Sequence, residues 1–498
     1  TELGRQLNDR PTLQCLDPAS GSVLDELPIS SAEEVEEKVG TAREAAAEWR
    51  RLSVRHRAKF IRKAQKALVA RMDEVVEVAL SETGKTDFDG VIEMLTTLEI
   101  MRFNRKMAPR ALASEIRPLG LLVKNKRGSV HYRPHGVVGA ISPWNYPLTQ
   151  PSILVVPALL AGNGIVLKPS EHTPLTALKM KEIYDDAGVP EGIFQIVIGG
   201  GETGRSLVES SGTDLIAFTG SVGVGRKIAI SCAERLKPVI LELGGKDPLI
   251  VLKDANLKRA AGAAVWSGFH NAGQTCISVE RVYVEEAVAE DFTKLVTEMT
   301  DDVTTGDDRS ISDFGSMTTE TQFGKVSAML DDARGKGATV LSGSESPRDG
   351  LFVRPTIVTD AEGGTELMKE EIFGPVIAIS RVRDEDEAVA QANSMKFGLN
   401  ASIFTRNKRK ARRLASRVQA GNIVINDVET NYLCVDLPFG GTKNSGIGRL
   451  HGIEGLRSFS QIQSVVEDRF GLKKELWWFP VANGTKKLFR ALIRILYG

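Results

Sequence analysis

The feature that most constrains the fold is an alternation in the middle third of the 498-residue chain. Short apolar runs at Val137–Ile141, Gly164–Leu167, Ile193–Val197, Asp214–Phe218 and Pro238–Glu242 are separated by helical stretches, among them 148–161 and 173–187. A strand with apolar side chains on both faces must be covered on both, and the intervening helices supply that cover. The expectation is a doubly wound α/β sheet of parallel strands. Such sheets bind ligands in the loops at the carboxyl ends of their strands. A second series follows over residues 245–427, with strands around Arg281–Val284, Val376–Ile379 and Asn422–Ile425 and helices at 385–394 and 408–418. The paired Gly244 and Gly245 join the two series.

Upstream, residues 1–119 are expected to complete the first domain together with 135–244. Asp17 to Gly21 reads as a turn between short strands. Ser31 followed by Glu33 and Glu34 starts a helical region that runs to about Leu80, and a further helix covers about Asp89 to Ala108. Val123, Val130 and Tyr132 alternate as in surface strands. Lys plus Arg equals Asp plus Glu, 64 of each, so no overall field draws the chain to nucleic acid. Cys15, Cys232, Cys276 and Cys434 lack CxxC or Cys/His spacing, which speaks against a disulfide framework or a metal site. A polar, acidic start without an apolar signal segment fits a reducing, cytoplasmic compartment.

The chemistry gathers around Phe269 to Cys276, where Cys276 follows Gly273, Gln274 and Thr275. A cysteine is ordinarily a small buried hydrophobe, but beside a base a thiol is the most nucleophilic side chain near neutral pH. Glu242, a lone carboxylate among apolar residues, is the candidate base. Asn145 lies in Ser142–Pro147 between two prolines, either as a rigid turn or as an amide donor toward developing negative charge. Lys168, Ser170 and Glu171 end a strand, where Lys168 and Glu171 form either a ribose grip or a solvated ion pair. Gly220, Ser221 and Gly225 open a helix where a phosphate could approach backbone amides, although the run is not a GxGxxG fingerprint. Glu371 and Phe373 precede a turn, and Phe439 begins a glycine-dense loop.

Taken in order, these motifs resemble the aldehyde dehydrogenase superfamily from about residue 10 to about 470. The resemblance implies two Rossmann-like domains, one binding cofactor and one catalytic, plus a small β oligomerisation arm with its returning segment over 120–134 and 428–470. It implies that Cys276 attacks the aldehyde, that Asn145 and the Cys276 amide hold the oxyanion, and that Glu242 activates water against the thioester. Lys168, Ser170 and Glu171 would hold the adenosine ribose, Gly220, Ser221 and Gly225 the pyrophosphate, and Glu371, Phe373, Leu243 and Trp144 the nicotinamide end. Trp144, Ile153, Thr275 and Phe439 would line the aldehyde path. Homodimers or dimers of dimers come with the family.

Glu242 favours a carboxylic acid product, because branches that pass the acyl group to coenzyme A generally lack this glutamate. A carboxylate at Glu171 repels a ribose 2′-phosphate, so NAD is favoured over NADP. Residues 148–160 hold no Lys, Arg, Asp or Glu, where many relatives carry a basic residue. An apolar tunnel past Ile153, and hence a long-chain or aromatic aldehyde, is the expectation. The rival is succinate semialdehyde, with Arg457 as a clamp from another loop. An inactive, crystallin-like protein on this fold is opposed by the retention of Cys276, Glu242 and Asn145.

The tail, 471–498, ends in a basic amphipathic stretch. Leu488, Leu492, Ile495 and Leu496 share one face, and Lys487, Arg490 and Arg494 gather on the other. With Trp477, Trp478 and Phe479 beside it, this suits a membrane interface, the alternative being packing on protein.

Overall fold

The computed structural model describes residues 10–342, 350–361 and 364–498, so the first nine residues of the expected first domain lie outside it. The chain divides into two compact units. The larger holds the chain up to Leu112 together with Arg133–Gln461, and the smaller holds Ala113–Tyr132 and Ile462–Gly498.

Two sheets organise the larger unit. In the first, the strands run in the order Gly446–Ile447, Val239–Leu243, Leu215–Gly220, Val137–Ile141, Gly164–Lys168, Phe194–Ile196, and all but the two-residue Gly446–Ile447 pair in parallel. Every residue of Val137–Ile141 and Gly164–Lys168 is buried, as their unbroken apolar runs require. The chain order reverses at Val137–Ile141, which has Gly164–Lys168 on one side and Leu215–Gly220 on the other. A crevice opens beyond the carboxyl ends of the strands at such a reversal.

The second sheet runs Thr339–Ser342, Thr356–Thr359, Val376–Val382, Val279–Glu285, Asp247–Val251, Asn400–Phe404, Asn422–Ile425, and only the first pair is antiparallel. Its core is aliphatic, with Val282, Val284, Ile357 and Val376 fully buried. The reading from sequence did not single out Asp247–Val251, Thr356–Thr359 or Asn400–Phe404.

The helices start where local chemistry dictates. Ser31 and Glu34 form a reciprocal capping box on Ala32–Trp49. Thr86 caps Asp87–Ala111 by accepting from the Asp89 amide. Glu93, buried on that second helix, accepts from the Leu148 and Thr149 amides at 2.8 and 3.1 Å. It thereby fixes the start of Thr149–Ala161, a helix buried at every position. Lys85 compensates the Glu93 charge at 2.6 Å.

The arm differs from expectation in its boundaries. Its sheet orders Ser460–Asp468, Lys126–Pro134, Glu115–Arg117, so it also takes in residues before 120. Residues 428–461 belong to the larger unit, because Gly446–Ile447 pairs antiparallel with Glu242 and Leu241. The smaller unit ends in the helix Asn483–Tyr497.

Candidate active site

Cys276 stands on a loop whose backbone is tightly wound. Asn271, Ala272 and Gly273 take φ values of 51°, 55° and 68°. Left-handed backbone at the two non-glycine residues costs about 1–3 kcal/mol each, so the surroundings must enforce it. They do so through buried amides. Asn271 Nδ2 donates to the Asn145 and Gln274 carbonyls at 3.3 and 3.2 Å, and Gln274 Oε1 accepts from the Thr318 amide at 2.9 Å. Asn145 Nδ2 donates to the Gln274 carbonyl at 2.9 Å. An amide nitrogen carries two hydrogens, and this bond fixes the direction of the second.

Gly245 is required for the two sheets to meet at this loop, and Gly244 leaves room for the Glu371 carboxylate. A methyl group on Gly245 would lie 2.4 Å from the Cys276 carbonyl, and one on Gly244 would lie 2.3 Å from Glu371 Oε2. The Gly245 amide instead donates to Glu371 Oε1 at 3.0 Å. Glu280 holds the next turn by accepting from the Ile372 and Phe373 amides at 2.9 and 2.8 Å, with Lys246 2.7 Å from its other oxygen.

Cys276 lines two cavities at once. The first, the inner chamber, also meets Asn145, Glu242, Leu243, Glu371, Phe373, Phe439, Gln150 and Tyr432. Glu242 ends Val239–Leu243, and its Oε1 is buried without a hydrogen-bond partner. Burial therefore pushes its pKa well above the carboxylate range, with Arg449 opposing weakly. Burial, then the Glu242 charge, pushes the Cys276 thiol up as well. Burial and the neighbouring Glu280 raise Glu371 to about 7.

The inner chamber opens through Pro143, Trp144, Thr219, Gly220 and Ser221 into a groove at the reversal point of the first sheet. Lys168, Ser170 and Glu171 line that groove. Lys168 Nζ lies 3.1 Å from Glu171, and burial lowers its pKa. Glu171 is lowered too: burial, the largest single influence, would raise it, but the Lys168 charge and hydrogen bond, a backbone hydrogen bond and His172 together outweigh that. Ser221 caps the helix Val222–Glu234, whose first amides face an anion-sized approach. Thr219 Oγ1 and Ser142 Oγ are buried in the groove wall without protein partners. Hydroxyls left so are suited to a polar, extended ligand such as a dinucleotide.

The second cavity, the outer chamber, also reaches Cys276, past Tyr146, Thr275, Ile277, Ile92, Trp266, His270, Val428, Glu429 and Leu433. Tyr146 and Thr275 share a hydrogen bond of 2.8 Å. His270 stacks on Trp266 at 4.4 Å and meets Glu429 at 2.8 Å. Burial opposes its protonation, but the Glu429 carboxylate more than offsets this and raises its pKa.

Two expected site residues are elsewhere. Ile153 is buried inside its helix and lines neither chamber; the helix offers its first turn, Thr149 and Gln150, instead. Gly225 packs under Leu243, 2.5 Å from where its methyl would fall, and serves helix-to-strand packing rather than the groove. Conversely, Gln150, Tyr432, His270 and Glu429 line the chambers and were not read from the sequence. Tyr432 sits on a four-residue helix after a left-handed Glu429, where no periodicity exists to reveal it.

A model of the aldehyde dehydrogenase family matches residues 6–465. The chain is 37% identical to the 4,4′-diapolycopene aldehyde oxidase of a Methylomonas species, over 98% of this chain and 92% of the relative. It is 36% identical to a Mycolicibacterium smegmatis protein assigned as a succinate-semialdehyde dehydrogenase [NADP(+)], over 94% and 93%. A crystal structure of betaine aldehyde dehydrogenase from Staphylococcus aureus in complex with NAD+ superposes with a TM-score of 0.89 at 28% identity, covering 94% of this chain and 93% of that one.

Proposed function

The chain belongs to the aldehyde dehydrogenase family and is an enzyme of it, and on that premise we propose that it oxidises a lipophilic aldehyde to a carboxylic acid with NAD. The observation that carries this reading is Cys276 shared between a chamber holding Glu242 and Asn145 and an outer chamber with a largely apolar wall.

Cys276 reacts as the thiolate, its proton released to solvent, and Sγ forms a bond to the aldehyde carbon as the carbonyl electron pair moves onto oxygen. The free hydrogen of the Asn145 amide and the Cys276 N–H stabilise that oxyanion. Return of the oxyanion electron pair re-forms the C=O bond and breaks the C–H bond, leaving a thioester on Cys276; bound NAD would supply the acceptor for that hydride. Glu242 then takes a proton from water, the water oxygen adds to the acyl carbon, the C–S bond breaks and the acid leaves. Lys168, Ser170 and Glu171 hold the adenosine ribose, Gly220 and Ser221 the pyrophosphate, and Trp144, Leu243, Glu371 and Phe373 the nicotinamide end.

The charges of the outer chamber bear on substrate. Among its described lining residues there is no Lys or Arg, and its one cation, His270, is committed to Glu429. Asp89 adds a carboxyl group to the wall, its pKa raised by burial, and the Glu93 carboxylate there is already paired with Lys85, so neither offers a positive partner. A second carboxylate on the substrate would be left unpaired there, which weighs against succinate semialdehyde despite the M. smegmatis relative. Arg457, the candidate clamp, donates to the Ala111 carbonyl at 2.9 Å and lines neither chamber. The Methylomonas relative, named for an aldehyde of a long polyene, supports the lipophilic reading. With decanal and succinate semialdehyde as alternative substrates, kcat/KM is expected to favour decanal by about 100-fold or more, the scale of an uncompensated buried charge. NADP in place of NAD is expected to lower kcat/KM through Glu171. Equal or better turnover of succinate semialdehyde would reverse the assignment.

The tail supports a peripheral contact with the cytoplasmic face of a membrane. No described helix is long and apolar enough to cross one. Residues 476–498 carry Lys486, Lys487, Arg490 and Arg494 and no acidic residue, with Trp477, Trp478, Phe479, Ile493, Ile495 and Tyr497 exposed. Such a segment lies in the interface of an anionic bilayer. Flotation with phosphatidylserine vesicles is expected to carry the full chain, and salt or removal of 476–498 to release it. Flotation unchanged by that truncation would remove the tail from this role. The arm is proposed to pair copies into dimers, or dimers of dimers. Ser460–Asp468 supports this as an edge strand exposing Ile462 and Val466.

A further inference from the structure

Three residues line both chambers: Cys276, Gln150 and Tyr432. Whatever passes from the outer chamber into the inner one passes the gap that these three residues frame. Gln150 lies in the first turn of Thr149–Ala161, and its Nε2 donates to the Tyr432 hydroxyl at 3.0 Å. That bond joins two elements 282 residues apart in the chain across the mouth of the inner chamber.

The Tyr432 side of this bond is backed rigidly. Its ring meets Phe439 edge-on at 5.0 Å and His451 at 4.8 Å. His451 is 4% exposed, both its ring nitrogens are without partners, and burial drives its pKa down to about 3. It is thus a neutral aromatic wedge. It also packs on Phe439 at 5.6 Å, so Tyr432 cannot yield in that direction without disturbing two further rings. The Gln150 side is backed by a helix with no exposed face.

We propose that the Gln150–Tyr432 hydrogen bond is a specificity-determining neck that reads the carbon next to the aldehyde. Because Cys276 is the third wall of the neck, the substrate atoms lodged in it during attack are those adjoining the carbonyl, whatever the length of the chain behind. An unbranched or flat, conjugated carbon passes beside the bonded amide and phenol, in the gap toward Cys276, and leaves their hydrogen bond intact. A tetrahedral branched carbon forces them apart and leaves two buried polar groups without partners, each of which carries a desolvation cost. Length is therefore tolerated while saturated branching beside the carbonyl is rejected.

The proposal rests on the assignment of Cys276 as the nucleophile toward aldehydes, and the test separates the two. Wild-type enzyme is assayed with decanal and with 2-methyldecanal, and kcat/KM for each is measured in Tyr432→Phe, Gln150→Leu and Gln150→Ala. The ratio of the two substrates on one preparation is independent of how much of it is folded. The wild type is expected to favour decanal by about 100-fold, and both Tyr432→Phe and Gln150→Leu to reduce that preference by about tenfold, with the KM for NAD unchanged. Gln150→Ala is expected to reduce it further. A wild type that oxidises both aldehydes equally would overturn the neck and leave the proposed function standing; no turnover of either would overturn that function. A preference kept in Tyr432→Phe and Gln150→Leu but lost in Gln150→Ala would overturn the hydrogen bond as the determinant.

Discussion

Cys276→Ala is expected to lower kcat by about 10⁴-fold or more, the scale seen when a covalent nucleophile is removed. No other thiol can substitute. Cys15 and Cys232 are buried, burial drives Cys15 to about 12, and Cys434, though exposed, lines neither chamber. Because the groove for the cofactor is built from other residues, NAD binding should survive, and its retention by fluorescence or calorimetry separates loss of chemistry from loss of fold. Rapid mixing with aldehyde should yield no burst of NADH. A burst of wild-type size would place the nucleophile elsewhere. The resting thiol is held up by burial and by Glu242, so the thiolate fraction, and with it the rate of acylation in the wild type, should climb with pH.

Glu242→Gln is expected to divide the reaction at the thioester. The first turnover, which needs Cys276 and Asn145, should still release a stoichiometric burst of NADH, whereas steady turnover falls by about 10²–10⁴-fold as the general base is lost. The pH profile supplies a second signature. A base works only when ionised, and burial raises the pKa of Glu242. The acid limb of the wild-type kcat should therefore begin above the ordinary carboxylate range, and the glutamine variant should lack it. If burst and steady rates fell together, Glu242 would be acting first on the thiol rather than on water.

The residues proposed as nucleophile, base and oxyanion donor could be singled out because each stands in a short run that breaks its context: polar before Cys276, apolar around Glu242, proline-bounded at Asn145, and the structure brings all three to one chamber. The sheets were legible for the same reason, since buried strands leave continuous apolar runs. What failed to show was direction. Thr149–Ala161 is buried on every side, so nothing in its spacing distinguishes Gln150, which reaches a chamber, from Ile153, which does not. Gly225 reads like a phosphate-loop glycine although its missing side chain makes room for Leu243. Residues 428–461 lack long elements, so their pairing with Val239–Leu243 depends on tertiary contacts that no local pattern encodes.

Cys276 is the partition between two compartments that share only Gln150 and Tyr432 besides. On the proposed function, the dinucleotide and the aldehyde would accordingly have separate doors. Neither must vacate its place for the other to come or go, so the order of addition is set by kinetics and not by obstruction. An acid product can depart while reduced cofactor is still seated. An inhibitor lodged in the outer chamber would leave the groove open, trapping the enzyme as a cofactor-loaded but idle ternary complex.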